Sequence, residues 1–500
     1  MLVILTIVLV SAVLWQTRWG TVPDTSWIIT ICERMLGGDR LYIDLIETNP
    51  PFTSWMLMPA VAMAVSLHLP SEILVSGYCY AVCLLGLGFA SLIARRAGFV
   101  ENRMLATLLP AFLAVLVIFP GNAFSEREHL GVAMLLPFLV LVAWRASPGI
   151  PQAPTLKLSV LAGLCGSVLV LVKPYYAIVL IAPAIYYSVK RRSISLFANV
   201  EYFTVATVCS LYLLSVIFFY PQFLNVIYFI VAETYMRIRV VQPLLLKYGG
   251  GYLVALYMLR FLRPGLSLSP LVAVFVIASL AATIPLIYQG KGWPYHAFPA
   301  LSLIVVALLL RATQIDETGA SPSGMAMDRP RKVLLVLVIV ANAAPFLPTQ
   351  KPDAAFVAAI REQVRRPSVA LIGSDIAVGH PLTRMIEGAW ISAYCSDWLG
   401  GFAVYLSKIE EQAGDAVAAA HYSAIADTYL NAKLVEFETQ KPTLVLVQKD
   451  DPLWTNWLLG HPEFSRIMLG YRQLVEDANV TVFVRKDTKL PASSRAAASD

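Results

Sequence analysis

Long apolar runs recur along this 500-residue chain, and they constrain its fold more than any other feature. About 20 consecutive apolar residues suffice for a helix to cross the hydrocarbon core of a bilayer. Hydrophobic residues make up 58% of the sequence and charged residues 14%, well below the charged share of a soluble domain. The runs of spanning or nearly spanning length are 2–16, 73–94, 104–120, 129–144, 158–172, 175–189, 202–220, 251–262, 267–288, 295–310 and 333–348. We therefore predict an α-helical polytopic membrane protein with about eleven spans, within a range of roughly eleven to thirteen.

The run 52–69 is also apolar, and the distribution of basic residues decides how it is counted. Counting it as a span would place Arg95 and Arg96 on the side opposite the other basic loops, against the positive-inside rule. We therefore predict that 52–69 is a helix at the outer surface, broken at Pro59, and that the N-terminus is inside. The first run, 2–16, lacks a charged start and a small-residue cleavage site, so we interpret it as a span rather than a cleaved signal peptide.

The composition changes after residue 348, where polarity becomes ordinary and apolar residues alternate with polar ones. Residues 368–373 and 443–448 are predicted to be buried strands, 408–435 a helix, and 472–486 two strands around a turn. The predicted organisation is a transmembrane domain over 1–348 with a first outer loop at 17–72, a small extracytoplasmic α/β domain over 349–490, and a disordered tail over 491–500.

Charge and cysteine content argue against several other functions. The net charge is only +6, and the basic residues cluster in short loops, which indicates topology determination rather than nucleic-acid binding. Most of the six cysteines lie in apolar runs without metal-ligand spacing, and Cys32 and Cys395 could either pair or stay free. There is no GxxxxGK[ST] loop, and the first outer loop has no Asp-X-Asp pair, so neither a cofactor nor a metal is predicted.

The first outer loop, TRWGTVPDTSWIITICERMLGGDRLYIDLIETNPPF, holds one acid close to the first span. Asp24 is expected to be partly desolvated, so its proton affinity can be tuned for a base. Equally, Asp24-Thr25-Ser26 fits a helix N-cap, and the two roles are compatible. Gly37-Gly38 is predicted to end that helix, and Asn49-Pro50-Pro51 to precede the next.

The segment GNAFSEREHLGVAML places four ionisable residues at the mouth of a span. Glu126, Arg127, Glu128 and His129 could form a solvated loop with a helix cap, since acids suit a helix N-terminus. Four such residues in succession exceed what a cap requires. We therefore favour a functional role for this segment.

Two later segments, LVKPYY and YQGKGWPYHAFP, each place a lysine beside aromatic residues. Lys173 could snorkel to the interface, and Tyr295 and His296 could belong to an aromatic belt. However, Lys173, Lys291 and Arg127 are all predicted to face the same outer side. Cations gathered beside carboxylates suit an anionic lipid head group such as a phosphate or pyrophosphate.

In their order, these motifs resemble the GT-C glycosyltransferases, above all the branch with protein O-mannosyltransferases and lipid A aminoarabinose transferases. The matching pieces are PDTSW, ERMLGGDRLY, ETNPPF, LVKPYY and KGWPYHAFP. The resemblance covers most of 1–348 and, more weakly, the tail. Two departures stand out: Asp24-Thr25 replaces a common Asp-Glu, and Asn49 stands where some relatives have a phosphate-contacting lysine before Pro-Pro.

The resemblance implies transfer of a sugar from a polyprenyl-phosphate donor to a glycan, lipid or protein acceptor, with inversion, at the periplasmic face of the inner or plasma membrane. Asp24 would be the base or orient the acceptor, and Glu128, or else Glu126, would be the second acid. The other implied roles are phosphate binding by Arg127, Lys173 and Lys291, and pocket lining by Tyr42, Asp44, Glu126, Tyr295 and His296.

Three other functions fit part of the sequence: a transporter or flippase of polyprenyl-linked sugars, an oligosaccharide ligase of related fold, and a non-catalytic assembly subunit. Transporters usually place ionisable residues near the bilayer midplane, within repeated halves. In this sequence the charges lie at the predicted outer ends of spans and no internal repeat is visible, which favours an enzyme.

Overall fold

The computed structural model describes residues 1–148, 150, 152–314, 327–349, 351–449, 451 and 454–489, and it is mostly helical. The α-helices are, in chain order, α1 (Leu2–Gln16), α2 (Pro23–Leu36), α3 (Phe52–Leu67), α4 (Ser71–Arg96), α5 (Asn102–Val117), α6 (Arg127–Ala146), α7 (Leu156–Val172), α8 (Ala177–Arg191), α9 (Val200–Phe219), α10 (Tyr228–Glu233), α11 (Val241–Leu244), α12 (Gly250–Leu262), α13 (Pro270–Gln289), α14 (Pro294–Thr313), α15 (Arg329–Ala343), α16 (Ala354–Gln363), α17 (Ile376–Gly379), α18 (Leu382–Met385), α19 (Trp398–Gln412), α20 (Ala416–Gln440), α21 (Trp454–Leu459) and α22 (Pro462–Met468). The strands are β1 (Ser368–Ile372), β2 (Ala389–Trp390), β3 (Leu444–Gln448), β4 (Tyr471–Glu476) and β5 (Val480–Arg485).

Within the described residues, five helices are long and apolar enough to cross a membrane: α4, α6, α9, α13 and α14. Several shorter helices, including α1 and α7, are also apolar. Each of the apolar runs predicted from the sequence coincides with an α-helix. A helical membrane protein is thus confirmed, whereas the number of spans remains a prediction.

The chain divides into two compact units. The helical unit comprises Met1–Gly20, Ile73–Phe219 and Arg239–Thr349. In it α13 packs along α14, and α7 packs between α6 and α9. Its large core is built from apolar side chains such as Phe138, Leu139 and Phe298, each fully buried. Burial of this kind explains why α6 and α14 are apolar around their whole circumference.

The mixed unit comprises Thr21–Glu72, Tyr220–Ile238 and Gln350–Asp500, and it holds the sheet. The strand order is β2-β1-β3-β5-β4, with β1 parallel to β2 and β3, while β5 is antiparallel to β3 and β4. Strands β1, β3, β4 and β5 lie where the sequence predicts strands. The predicted tail 491–500 lies outside the described residues.

Residues 408–435 are helical as predicted, with a break between α19 and α20 where Gly414 adopts φ +81° and Asp415 caps the second helix through the Ala418 N–H. Two other sequence predictions need correction. Asp24 is not an N-cap residue: α2 begins at Pro23, whose fixed φ suits the first helical position, so Asp24 lies in the first turn. Helix α3 runs through Pro59 rather than breaking there.

Candidate functional site

A constrained turn precedes the acids of α6. Ser125 has φ +68°, a conformation that costs energy for a residue with a side chain, and Glu126 then occupies the N-cap position of α6. His129 stabilises this turn, since its Nδ1 accepts a hydrogen bond from the Ser125 N–H at 3.3 Å. Its Nε2 lies 2.6 Å from the Leu116 carbonyl oxygen and must donate to it. The imidazole therefore fixes the start of the helix on which Glu128 sits.

Lys173 follows the last residue of α7 in an extended conformation, with φ −151°. The next residue is Pro174, which disfavours helical backbone at the position before it. The helix consequently ends at Val172, directly before the lysine. This termination holds the side chain among neighbouring helices, where the residue is only 8% exposed.

The third element is the connection between α13 and α14. Gly290 ends α13 in the left-handed region at φ +62°, and Pro294 starts α14 at its first helical position. Gln289 therefore lies at the last turn of one helix, and Tyr295 and His296 at the first turn of the next. All three side chains are buried.

These elements bring four polar side chains together around Lys173. Its Nζ donates to Glu128 Oε1 at 2.6 Å and to Gln289 Oε1 at 3.0 Å, and it lies 3.2 Å from His296 Nε2. An ammonium group only donates, so Nε2 accepts and the proton of a neutral His296 resides on Nδ1. On the other side of the carboxylate, Arg127 Nε lies 3.9 Å from Glu128 Oε2.

Tyr295 organises the two cations of this cluster. Lys173 Nζ lies 5.6 Å, and Arg127 Cζ 5.7 Å, from the centroid of its ring. The face of an aromatic ring attracts cations at such distances. The same ring packs edge-on against His296 with centroids 4.5 Å apart. Tyr295 thus holds like charges near one carboxylate.

The buried atoms of the cluster that make no hydrogen bond to a described residue include Glu128 Oε2 and His296 Nδ1. Buried polar atoms nearly always have partners, and an unsatisfied one costs about 1–3 kcal/mol. One of these atoms is an acceptor and the other a donor. A ligand admitted by a small movement of these side chains could satisfy both.

A second pair of cations lies close to this connection. Burial, followed by the charge of Arg239, lowers the pKa of Lys291 to about 8. The backbone of Val240 donates to the Gly290 carbonyl at 2.6 Å, and the Arg239 guanidinium lies 5.1 Å from the Tyr288 ring. Sequence reasoning missed Arg239, which lies in none of the motifs, and Gln289, which lies in the segment YQGKGWPYHAFP but carries no charge that marks it.

The remaining predicted residues belong to the mixed unit. Asp24 lies half-buried in the first turn of α2. Tyr42 is buried in the left-handed region, with φ +66°, and its hydroxyl donates to the Asn49 carbonyl at 2.6 Å. Asp44 pairs with Arg40 at 2.9 Å on the surface, which is a loop-stabilising contact. The helical unit, by contrast, holds Glu126, Arg127, Glu128, Lys173, Lys291, Tyr295 and His296.

In the part of the chain that the structure describes, no group of three or more His, Cys, Asp or Glu residues could hold a metal ion. Cys32 and Cys395 are both free thiols, so of the two alternatives for these cysteines the structure has the unpaired one. The groups that the site offers to a ligand are carboxylates, cations and aromatic rings.

No protein-family model and no curated protein matches the chain. Two solved structures match nearly its whole length. ArnT from Cupriavidus metallidurans bound to undecaprenyl phosphate has 14% sequence identity and a TM-score of 0.54, over 96% of this chain and 97% of that one. The same enzyme in the apo state has 13% identity and a TM-score of 0.52, over 95% and 96%. ArnT is a lipid A aminoarabinose transferase of the GT-C class, so the resemblance found in the motifs is confirmed for the fold, and this chain has an ArnT-like fold.

Proposed function

We propose that this protein is a membrane glycosyltransferase that moves a sugar from a polyprenyl-phosphate-linked donor to an acceptor at the outer face of the membrane, inverting the anomeric carbon. The observation that carries the proposal is the buried cluster of Lys173, Glu128 and His296 in a chain with the fold of ArnT, which has been solved with undecaprenyl phosphate. The acceptor would be lipid A or its core, a cell-surface polysaccharide or a protein.

The cations would act on the leaving group. When the bond between the anomeric carbon and the phosphate oxygen breaks, the electron pair stays on the phosphate, and fixed positive charge stabilises it as it develops. Arg127, Lys173 and Lys291 would supply that charge. Arg239, whose charge acts on Lys291, would contribute to it as well. Positioned in advance by Tyr295 and Glu128, the first two cations would need little reorganisation.

The carboxylates would act on the acceptor and on the cations. Asp24 would take the proton from the attacking hydroxyl or amine as the new bond to the anomeric carbon forms. Glu128 would hold Lys173 in place and, through its second oxygen, hydrogen-bond a sugar hydroxyl. In the helical unit, Tyr295 and His296 would line the pocket and Glu126 would hold the start of α6. In the mixed unit, Tyr42 would support the first outer loop through its hydrogen bond to the Asn49 carbonyl.

The decisive experiment is transfer of a labelled sugar from a polyprenyl-phosphate donor to membrane acceptors by the purified protein in proteoliposomes. We expect transfer by the wild type and a loss of at least about a hundredfold in Asp24→Asn and in Glu128→Gln. The matched control is Asp415→Asn, because asparagine caps a helix as well as aspartate does. Movement of the donor across the bilayer without transfer would overturn the proposal in favour of a flippase.

A further inference from the structure

The α/β part of the mixed unit contacts the helix that carries Asp24 through Arg384. The guanidinium donates to both oxygens of Glu33 in α2, at 2.6 and 2.9 Å, and to Glu72 at 2.6 Å. It also lies 3.4 Å from the Thr30 hydroxyl. Bidentate hydrogen bonds between a guanidinium and a carboxylate fix the relative orientation of the two groups as well as their distance.

This ion-pair network is more protected than an ordinary surface pair. The side chain of Arg384 is 14% exposed, and those of Glu33 and Glu72 are 33% and 32% exposed. Burial would raise the pKa of Glu33, but the hydrogen bonds and charge of Arg384 outweigh it and lower that pKa. Ser71 adds a hydrogen bond to Glu33 at 2.5 Å. The carboxylate is therefore held charged and in one place.

The contacts follow one ridge of α2. Asp24, Trp27, Thr30 and Glu33 succeed one another at intervals of three residues, which is a row of neighbouring side chains on a helix. The Trp27 ring packs against His380 with centroids 5.4 Å apart, and the next two members contact Arg384. The segment that includes α17 and α18 thus contacts Trp27, Thr30 and Glu33, the three members of the row that follow Asp24.

Two further hydrogen bonds join the same parts of the chain. Arg34 Nη1 donates to the Ser392 carbonyl at 2.7 Å, and the Ile46 N–H donates to the Ala393 carbonyl at 2.8 Å. The helix and the loop after it are therefore both attached to residues 380–393. Among the residues that make these contacts from 380–393, Arg384 forms the ion pairs, with Glu33 and Glu72.

We infer that Arg384 is a positioning residue that fixes α2 through Thr30 and Glu33, and thereby orients Asp24 on the same helix for the proposed transfer. The inference rests on the proposed function, because it assigns Arg384 an effect on the rate through Asp24. Misplacement of a reacting group by about 1 Å can lower a rate by about a hundredfold. Loss of Arg384 is therefore expected to lower kcat while leaving KM for the donor nearly unchanged.

The test compares Arg384→Gln, Arg384→Lys and the exposed-pair control Arg361→Gln, each in the wild-type and the Asp24→Asn backgrounds. We expect Arg384→Gln to lower kcat by about tenfold to a hundredfold in the wild-type background, and to have no further effect in the Asp24→Asn background. Arg384→Lys should give an intermediate rate, because lysine keeps the positive charge but cannot form the bidentate hydrogen bonds of the planar guanidinium. Arg361 pairs with Glu387 at the surface, so its variant should match wild type.

Hydrogen exchange of the α2 amides, measured on the same full-length proteins, gives a readout independent of activity. We expect roughly tenfold faster exchange in Arg384→Gln and no change in Arg361→Gln. Unchanged exchange, or rate losses that multiply in the double variant with Asp24→Asn, would overturn the inference. Faster exchange in a protein whose wild type transfers no sugar would instead overturn the proposed function and leave the structural contact established.

Discussion

The ammonium nitrogen of Lys173 lies 2.6 Å from Oε1 of Glu128, with side chains that are 10% and 0% exposed. The two residues are 45 positions apart: Glu128 lies in the first turn of α6, and Lys173 directly follows α7. A buried pair of this kind adds little when replaced as a whole by groups that pack well, but removal of one partner leaves an uncompensated charge. The pair should therefore behave as a unit in both stability and activity.

The first prediction concerns this pair of Lys173 and Glu128. Lys173→Met and Glu128→Gln should each destabilise the protein by about 3 kcal/mol, whereas the double variant should lose less than the sum. All three should lack transfer activity. Thermal unfolding in detergent and the transfer assay measure the two effects. Arg361→Gln, in an exposed pair, is the control and should stay within about 0.5 kcal/mol of wild type. Additive losses would contradict the coupling.

The second prediction uses the pKa of Lys291, which burial lowers to about 8. A lowered lysine pKa means that the ammonium is present below this pH and lost above it. Affinity for the phosphodiester donor, whose own charge stays constant, should therefore weaken above about pH 8, by at most roughly tenfold per pH unit. Titration calorimetry across this range measures the effect.

The control for this second prediction is Lys291→Arg, which stays charged throughout the range. Its affinity should remain flat where that of the wild type declines. The same decline in Lys291→Met, which has no group to titrate at this position, would show that another residue is responsible.

The sequence predicted the parts of the site that depend on local pattern. Lys173 before Pro174, and Tyr295 and His296 after Pro294, follow from how proline ends or begins a helix. Their convergence is a matter of packing between helices, which apolar periodicity does not encode. The distribution of the basic loops supplied the common side of the membrane on which they were placed.

Other contacts had no local signal. Arg384 and Glu33 are 351 positions apart, and nothing in either segment marks its partner. Gln289 ends an apolar run, where a single amide resembles any helix terminus. The N-cap alternative for Asp24 is wrong because Pro23 already occupies the first helical position. The break at Gly414 leaves no clear signal in the sequence because helical periodicity continues on both sides of it.

The third prediction concerns Arg311, which is 2% exposed at the end of α14. Its guanidinium donates to the carbonyls of Leu259, Arg263, Leu266 and Ser267 and to the side chain of Gln314. Lysine has three donors instead of five, so Arg311→Lys leaves buried carbonyls unpaired. We expect a loss of about 2–4 kcal/mol in stability with unchanged transfer per folded molecule.

Arg331→Lys is the control for Arg311→Lys. The partly exposed Arg331 side chain lies 4.0 Å from Asp328 and 5.4 Å from the Phe261 ring centroid, and a lysine can approach both groups. Unfolding curves of both variants and the rate per active protein provide the comparison. Equal stability of the two would contradict the role assigned to Arg311, and so would a selective loss of rate in Arg311→Lys without loss of stability.

The fourth prediction compares two glycines of α4 that are two residues apart. A methyl group added at Gly86 would lie 2.2 Å from the carbonyl oxygen of Ala133, whereas one added at Gly88 would have no atom within 4 Å. Backbone cannot yield as a flexible side chain can, so Gly86→Ala must separate α4 from α6. We expect it to lose about 1–3 kcal/mol, while Gly88→Ala should be neutral or gain up to about 1 kcal/mol from helix propensity. Thermal unfolding in detergent measures both, and the shared helix makes each variant the control for the other. If Gly86→Ala were as stable as Gly88→Ala, the close approach of the two helices at this point would be wrong.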